Sequence, residues 1–553
     1  MERPMQKGRA VIATCESIKG DDNTYIDLMD EIAVLFAPEQ ETLLEVSEGS
    51  EILQPIISTG ILANQLLQGG LYSNSMAMGK GNIADADDQI MKLPMVREWY
   101  ATLSKQTHHH IGQSKFAQAF ANWLTDYVPF GGGVMYIQWN PTTLRHEYKV
   151  FPIGKCHYLY DADGNVCELY REYTYTADQA VEKFGYSDCP KVVQVAWDKT
   201  DSKTKFDFIH CVKKNRKYDP ESASKHWSKM QYISMHVHVT TGKVCRESGS
   251  RHMRYVVEHF YTKHGERNGR SPAMQALPVM RTLMKTVSDF IDGTELAIGP
   301  PMWLPDRDAV ENAELESFGV NYADLSKGDP WMYKTDSGAL QISADFISWL
   351  RDEIDKLFFI DLFNMLEHAK AGAKTAYEVS QLVAERTQAI APIANSLGNF
   401  FRRVYKLVAS DLIDSGQVDA PPTEVNIDDL QVTYTSRLDV RLREIENVSM
   451  QEAVAQALKL TGSIQESPQL QAVIKVIPAL IAIFESHNVD PDIIRNADDA
   501  DEELNRLNQE AAQAQAVAQA GDMAGRIDPM KAAEDGSPVD QLIEDGAGGM
   551  ISQ

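Results

Sequence analysis

The 553-residue chain has little of what anchors or cross-links a protein. Its six cysteines, at 15, 156, 167, 189, 211 and 245, include no CxxC and no paired short spacing. That scatter suits reduced, mostly buried thiols better than a zinc site or a disulfide framework. No uncharged apolar run reaches the ~18 residues of a membrane span. The nearest, AVIKVIPALIAIF at 472–484, is too short and carries Lys475 and Pro478. The opening MERPMQKGRA lacks the apolar core of a secretory signal, so export is not expected. Positive charge is scarce as well, with 53 Lys and Arg against 79 Asp and Glu, a net charge of −26. Surfaces that grip nucleic acid through its phosphates are basic, so this balance argues against a tight DNA clamp.

Catalytic signatures are also missing. Met78-Gly79-Lys80-Gly81 is the nearest approach to a phosphate loop, but Asn74 stands where the first glycine belongs and no hydroxyl residue follows the lysine. His146-Glu147 has no second histidine at zincin spacing, and there is no GxSxG elbow. His108, His109 and His110 are consecutive and point in different directions on a helix, so they are expected to be exposed and non-ligating. His236 and His238 share one face of a predicted strand, but without a third partner they read as ordinary strand residues.

What is present is an ordinary globular composition, 43% hydrophobic and 24% charged, long enough for about two to four domains. Residues 24–125 read as helical through TYIDLMDEIAVLF, ILANQLLQGGLY and KFAQAFANWLTDYV. Phe130-Gly131-Gly132-Gly133 breaks that pattern, and 130–262 is β-rich, with strands expected in VMYIQW, EYKVFPI, CELYREYTY, VVQVAW, FDFIHCV, YISMHVHV and YVVEHFYT. A short helix, TADQAVEKFG, interrupts them at 176–185.

The most informative stretch follows. Ser271 is a good N-cap, Pro272 suits the first helical position, and an apolar-rich helix runs to Gly299-Pro300-Pro301. A second helix, expected over 343–368 with Ser343 as cap, answers it; each spans roughly 38 Å. Between them, 299–342 carries Trp303, Phe318, Tyr322, Trp331 and Tyr333. Two long helices with a small aromatic insertion read as a stalk with a tip. On the second helix Phe346, Leu350, Ile354, Leu357 and Phe358 share a broad face that must be buried against another helix. EHAKAGAKT at 367–375 is a lysine-bearing loop. Thr375 and Glu378 have capping-box spacing before a helix that Pro392 should kink, and LQVTYT at 430–435 reads as a strand. Residues 439–520 are largely helical, and 521–553 form an acidic tail expected to be disordered, whose deletion should leave assembly intact. The fold class is α+β with discontinuous domains.

Several stretches resemble the head-to-tail connector (portal) proteins of short-tailed bacteriophages. They are FPIGKCHYLYDADGNVCELYREYTYTADQAVEKFG at 151–185, GRSPAMQALPVMRTLMKTVSDF at 269–290 with PPMWLPD at 300–306, TAYEVSQLVAERTQAIAPIANSLG at 375–398, and the helical stretch opening YTSRLDVRLREIE at 434–446. The resemblance implies a portal-type fold: a wing over 1–268, stem helices at 269–298 and 343–366, a clip at 299–342, a channel loop at 367–375, a kinked long helix and return strand at 376–439, and a helical crown or barrel at 440–520. It implies a ring of about twelve subunits at one capsid vertex. A terminase motor would pump double-stranded DNA through the ring without sequence specificity, and a tail adaptor, major capsid protein and scaffolding protein would contact it. Assembly would occur in the host cytoplasm and the ring would reside in the virion, with no membrane, cofactor, metal or enzymatic step.

On that footing Lys370, Lys374, Asp352, Glu353 and Asp355 are DNA-channel candidates. Carboxylates repel a sliding duplex, whereas tight phosphate neutralisation would stall it. Trp303, Phe318, Tyr322, Trp331 and Tyr333 are candidates for the clip core or a partner interface. Two readings from other classes stay open: a nuclease-like packaging enzyme, which would cleave plasmid with Mg²⁺ or Mn²⁺, and another virion or ejection protein, which would form no closed ring.

Overall fold

The computed structural model describes residues 4–37, 57–64, 80–85, 88–91, 93–199, 203–216, 218, 226–305, 316–323, 331–332, 337–360, 376–423, 425, 430–435, 503, 506 and 509. The chain forms two compact units, Met1–Leu442 and Arg443–Gln553. In the second, Arg506 pairs with Glu503 at 2.7 Å. All else below belongs to the first.

Helix α1 (Pro4–Phe36) leads, followed by a short helix at 57–64 and strand β1 (Lys80–Asp85). Helices α2 (Pro94–Gly112) and α3 (Phe116–Phe130) run into β2 (Gly132–Asn140), β3 (Arg145–Phe151), β4 (Cys156–Tyr160) and β5 (Val166–Thr176). A small helical pair, α4 (Ala177–Phe184) and α5 (Lys191–Asp198), precedes β6 (Lys205–Lys214), β7 (Tyr232–His238), β8 (Val244–Ser250) and β9 (Tyr255–His259). Then come α6 (Pro272–Ile298), the short strands β10 (Met302–Pro305), β11 (Val320–Ala323) and β12 (Trp331–Met332), α7 (Ser337–Leu357), α8 (Ala376–Asp414) and β13 (Leu430–Thr435).

The strands form four sheets: β4-β5-β6-β7-β8, β3-β2-β9, β11-β10-β12 and the pair β1-β13. The α+β expectation therefore holds. The main core lies where α3 and α8 cross the three-stranded sheet. Trp123 is fully buried, its ring 4.3 Å from Phe400 and 4.4 Å from Tyr127, and the Phe120 ring lies tilted 5.0 Å from Phe401. Gly131 closes α3 in the left-handed region at φ 76°, which lets the chain turn straight into β2. Buried polar groups tie the layers. Arg254 and His146 converge on Asp411 of α8, and Ser396 donates to the His259 carbonyl while accepting from Tyr127 at 2.8 Å.

Several sequence expectations need correction. VVQVAW is helical, within α5. Its valines favour strands, but the segment packs on α4 and buries Val193 with Ala177, Ala180 and Cys189, and packing overrides propensity. The stretch 24–125 is not all helical. Residues 80–85 pair antiparallel with 430–435, and Lys80 and Gly81, already rejected as a phosphate loop, are strand residues opposite Thr435 and Tyr434. Helix α1 starts at Pro4, well before residue 24. Of the three consecutive histidines only His109 is exposed; His108 is half-buried with Nδ1 2.9 Å from the Tyr405 hydroxyl, and the His110 ring lies near Trp139. The cysteines are all free, and all but Cys167 are buried.

Candidate functional site

The stalk is built from α6 and α7. Ser271 caps α6, its Oγ accepting from Met274 N–H at 3.0 Å, with Pro272 at the first position. The first half of α6 is core: Ala273, Ala276, Leu277, Met280 and Leu283 are buried. Beyond Leu283 no α6 residue is buried, so the distal half leaves the body. Arg281 pins the exit point through two bonds to Glu31, at 2.8 and 2.6 Å, an exposed pair that holds the Glu31 carboxyl below its ordinary value and contributes little stability.

Helix α7 starts at Ser337, so Ser343 is not its cap but lies inside its second turn. Its regular part ends at Leu357, where Phe359 takes φ 58°; the remainder of the expected helix lies outside the described residues from 361 onward. Ile347, Leu350, Ile354 and Phe358 form the buried stripe at helical spacing, and Phe358 stacks on Phe36 of α1. Leu357 is half-buried beside them. Phe346, expected in that stripe, is off it. Its ring stacks 5.7 Å from Trp349, and both face solvent, Trp349 at 53% exposure. One turn further out, Ile342 is 71% exposed. The helices meet closely at the distal end, where a methyl on Gly293 would stand 3.2 Å from Leu340.

The tip is a three-stranded sheet. Strand β10 pairs parallel with β11, Met302 opposite Val320 and Leu304 opposite Tyr322, and antiparallel with β12, Trp303 opposite Trp331. Alternation sorts its faces. Trp303 and Asn321 are buried, while Met302, Val320 and Tyr322 are exposed and Leu304 is half-covered. Among the described residues, one face of the tip thus exposes Met302, Val320 and Tyr322. Phe318 adjoins it, 74% exposed and held at φ 59°, a left-handed backbone that costs a bulky residue about 1–2 kcal/mol. Its position is fixed from below: Phe318 N–H donates to the Gly299 carbonyl at 2.8 Å, and a Cβ on Gly299 would stand 2.5 Å from the Phe318 ring. The turn is braced against α6 by Ser317, which donates to the Glu295 carbonyl at 3.0 Å.

Of the five aromatic candidates, Trp303 is therefore core and Phe318 and Tyr322 are surface. Trp331 is placed by backbone register, and Tyr333 lies outside the described residues. The acidic candidates separate too. Asp352 is exposed, Glu353 pairs with Lys356 at 3.3 Å, and Asp355 accepts from Ser58 Oγ at 2.5 Å, tying α7 to the helix at 57–64. Lys370 and Lys374 lie outside the described residues. Sequence reasoning missed the Phe346–Trp349 pair. Ile342, Phe346 and Trp349 recur at spacings of four and three residues, a second helical face that could have been found.

The perturbed groups lie in the body. Burial raises the Asp126 carboxyl to about 7 against one bond from Ile153 N–H. Burial alone would raise Asp411, but His146 and Arg254 outweigh it and hold it low. Asp411, Asp414, Arg246, Arg254, Ser234 and Ser248 line a cleft of about 520 Å³. Both its acids are committed, Asp411 as described and Asp414 to Arg251 at 3.0 Å, so the cleft is a braced joint between α8 and the sheets rather than a poised general base. His236 and His238 do not converge on one site: His236 meets Tyr173 at 2.7 Å and His238 meets Thr241 at 2.9 Å. Among the described residues, the side chains that could hold a metal are Cys15, His157 and Glu172. No described helix is long and apolar enough to cross a membrane.

The family model described as "Bacteriophage head to tail connecting protein" matches residues 9–494. The chain is 22% identical over 413 residues to the probable portal protein of Bordetella phage BPP-1, covering 73% of this chain and 74% of that protein. It is also 22% identical over 475 residues to the portal protein of Salmonella phage epsilon15, covering 84% of each.

Proposed function

Because the chain belongs to the bacteriophage head-to-tail connecting family, in which its relatives are portal proteins, we propose that its stalk and tip are the ring-forming conduit of a capsid vertex. The protein is a structural portal protein, and its role implies oligomerisation with capsid and tail partners. The observation that carries the finer reading is the apolar surface exposed among the described residues: Ile342, Phe346 and Trp349 along α7, and Met302, Val320, Tyr322 and Phe318 on the tip. A contiguous apolar face without a partner marks an interaction site. Repeated around a closed ring, the α7 face of one subunit seats against the distal α6 of the next, and the tip sheets abut their neighbours.

In this reading α6 and α7 are the stem, the β11-β10-β12 sheet is the clip, and the body is the wing. Terminase and a tail adaptor would contact the clip rim at Phe318, a strained aromatic left 74% exposed. Asp352 and Glu353 would face the channel, and Lys370 and Lys374 would touch the passing backbone. Asp355 is the weakest channel candidate, because Ser58 already holds it in the body.

Negative-stain imaging with a mass measurement tests this. Rings of about a dozen subunits with a hole that passes duplex DNA are expected. A monodisperse monomer across a concentration series, unchanged by scaffolding protein, would overturn it. Plasmid cleavage with Mg²⁺ would instead favour the nuclease reading.

A further inference from the structure

Helix α1 lies against β4, β7 and β8 of the five-stranded sheet, and there three side chains far apart in sequence meet, one each from α1, β4 and β5. Cys15 Sγ, one ring nitrogen of His157 and a Glu172 carboxylate oxygen all lie within 4.8 Å of one another. Cys15 is 1% exposed and the His157 side chain 3%. The imidazole is oriented from behind. Its Nδ1 sits 3.7 Å from Asp22, one α-helical face along from Cys15, and Asp22 is itself held by Arg267 and by Asn268 at 2.8 Å. The other nitrogen, Nε2, is buried and has no hydrogen-bond partner. An orphaned buried nitrogen is costly unless something ligates it.

From these contacts we infer that Cys15, His157 Nε2 and Glu172 form a binding site for a borderline-soft divalent cation, with zinc the best fit. Three points of chemistry support it. Thiolate, imidazole and carboxylate together make a donor set that zinc accepts, and that magnesium or calcium, which take oxygen ligands, would not. Asp22 stands on the Nδ1 side of the ring at 3.7 Å, where a small closure gives the carboxylate–histidine arrangement of a metal-bound imidazole and leaves Nε2 to ligate. Finally, the site can open for the ion. Lys19 now donates to both Glu172 oxygens, at 3.1 and 2.9 Å, but its own side chain is 44% exposed and free to swing into solvent.

On binding, Cys15 releases its thiol proton to solvent, Glu172 exchanges the Lys19 ammonium for the cation, and water completes a four-coordinate shell. Because binding releases that thiol proton, it weakens as pH falls. The ion would staple α1 to the five-stranded sheet beside the small apolar cluster of Val11, Cys15, Ile18, Ile209 and Val237.

The test uses full-length protein stripped with chelator and titrated with Co²⁺, then Zn²⁺. The expected result is one Co²⁺ per chain, with a near-ultraviolet thiolate-to-cobalt band and tetrahedral visible absorption, both removed by Zn²⁺. Cys15→Ser should abolish the thiolate band, while Cys189→Ser, at a buried thiol elsewhere, should retain it. Glu172→Gln, on a partly exposed side chain that the fold tolerates, should weaken Co²⁺ binding at least about tenfold. Weak six-coordinate absorption without a sulfur band, a band that survives Cys15→Ser, or unchanged affinity in Glu172→Gln would each overturn the site. If Cys15→Ser fails to fold, the Glu172→Gln affinity decides.

Discussion

Asp126 shows how a single buried group sets a pH dependence. Its folded carboxyl stays protonated to about 7, whereas in the unfolded chain it titrates near ~3.9. The stability it confers is therefore fully present below about pH 4 and is lost as pH rises through about 7. Asp126→Asn keeps an acceptor for Ile153 N–H and has no charge to bury. The variant should be more stable than the parent above pH 7.5, by on the order of 1 kcal/mol, and no more stable below pH 5, where the amide leaves a buried donor unpaired. Thermal midpoints at pH 5 and pH 8 check this, and parallel curves would refute it. The buried histidines act oppositely. Burial lowers His236 to about 3 and His259 to about 4, and His210, stacked 4.1 Å from His236, is lowered too. Their contribution is present above about pH 6.5 and is lost as pH falls, so the acid side of the profile should survive the Asp126 change. Phe318 makes a different prediction. Phe318→Gly releases a left-handed strain and removes an exposed ring, so monomer stability should change by less than ~1 kcal/mol while assembly or partner binding weakens. A drop in stability with assembly intact would assign the ring to the fold instead.

At the scale of elements, what was legible was local. Ser271 and Pro272 announced α6, Gly299 ended it, and Thr176 with Gln179 makes the capping box that opens α4. These signals lie within a few residues of the structure they specify. The pairing of β1 with β13 was not legible, because Lys80 and Thr435 meet only after the whole body between them has folded. Strand β8 was missed for a related reason: VCRESGS lies at the edge of its sheet, and its register is dictated by β7 rather than by its own apolar pattern. The start of α7 was misread because Ser343 is a chemically good cap, yet the helix had already begun at Ser337. The candidate site divides in the same way. Aromatics at the tip could be named from sequence, but their division into core Trp303 and surface Tyr322 needed the β10–β11 register. The stalk stripe yields a prediction at this scale. Trp349→Glu and Phe346→Glu place a charge on a face that the monomer leaves open, so circular dichroism and melting should barely change while ring formation fails. Ile354→Glu, on the fully buried stripe, should instead unfold the stalk root by several kcal/mol. If both classes behaved alike, the two faces of α7 would not have separate roles.

For the whole molecule, the proposed ring has to form from subunits of net charge −26. Like-charged subunits repel, and the repulsion reaches across a subunit interface when the screening length is about 30 Å, as at 0.01 M salt, but not when it is about 8 Å, as at 0.15 M. The exposed residues of α7 and the tip proposed as contacts are apolar, and apolar contacts do not weaken with added salt. Ring assembly should accordingly be favoured by ionic strength, with the assembled fraction rising between about 0.01 and 0.15 M NaCl at fixed protein concentration. A ring held mainly by intersubunit ion pairs would do the reverse. Sedimentation across that range distinguishes the two. The same acidity bears on the proposed transport: a lumen lined by excess carboxylates would give the duplex nowhere to release counterions, so DNA retained in such a channel should dissociate without the steep salt dependence of a phosphate-gripping protein. A strong inverse dependence on salt would mean that a basic ring, with Lys370 and Lys374 as its first suspects, dominates the acidic wall.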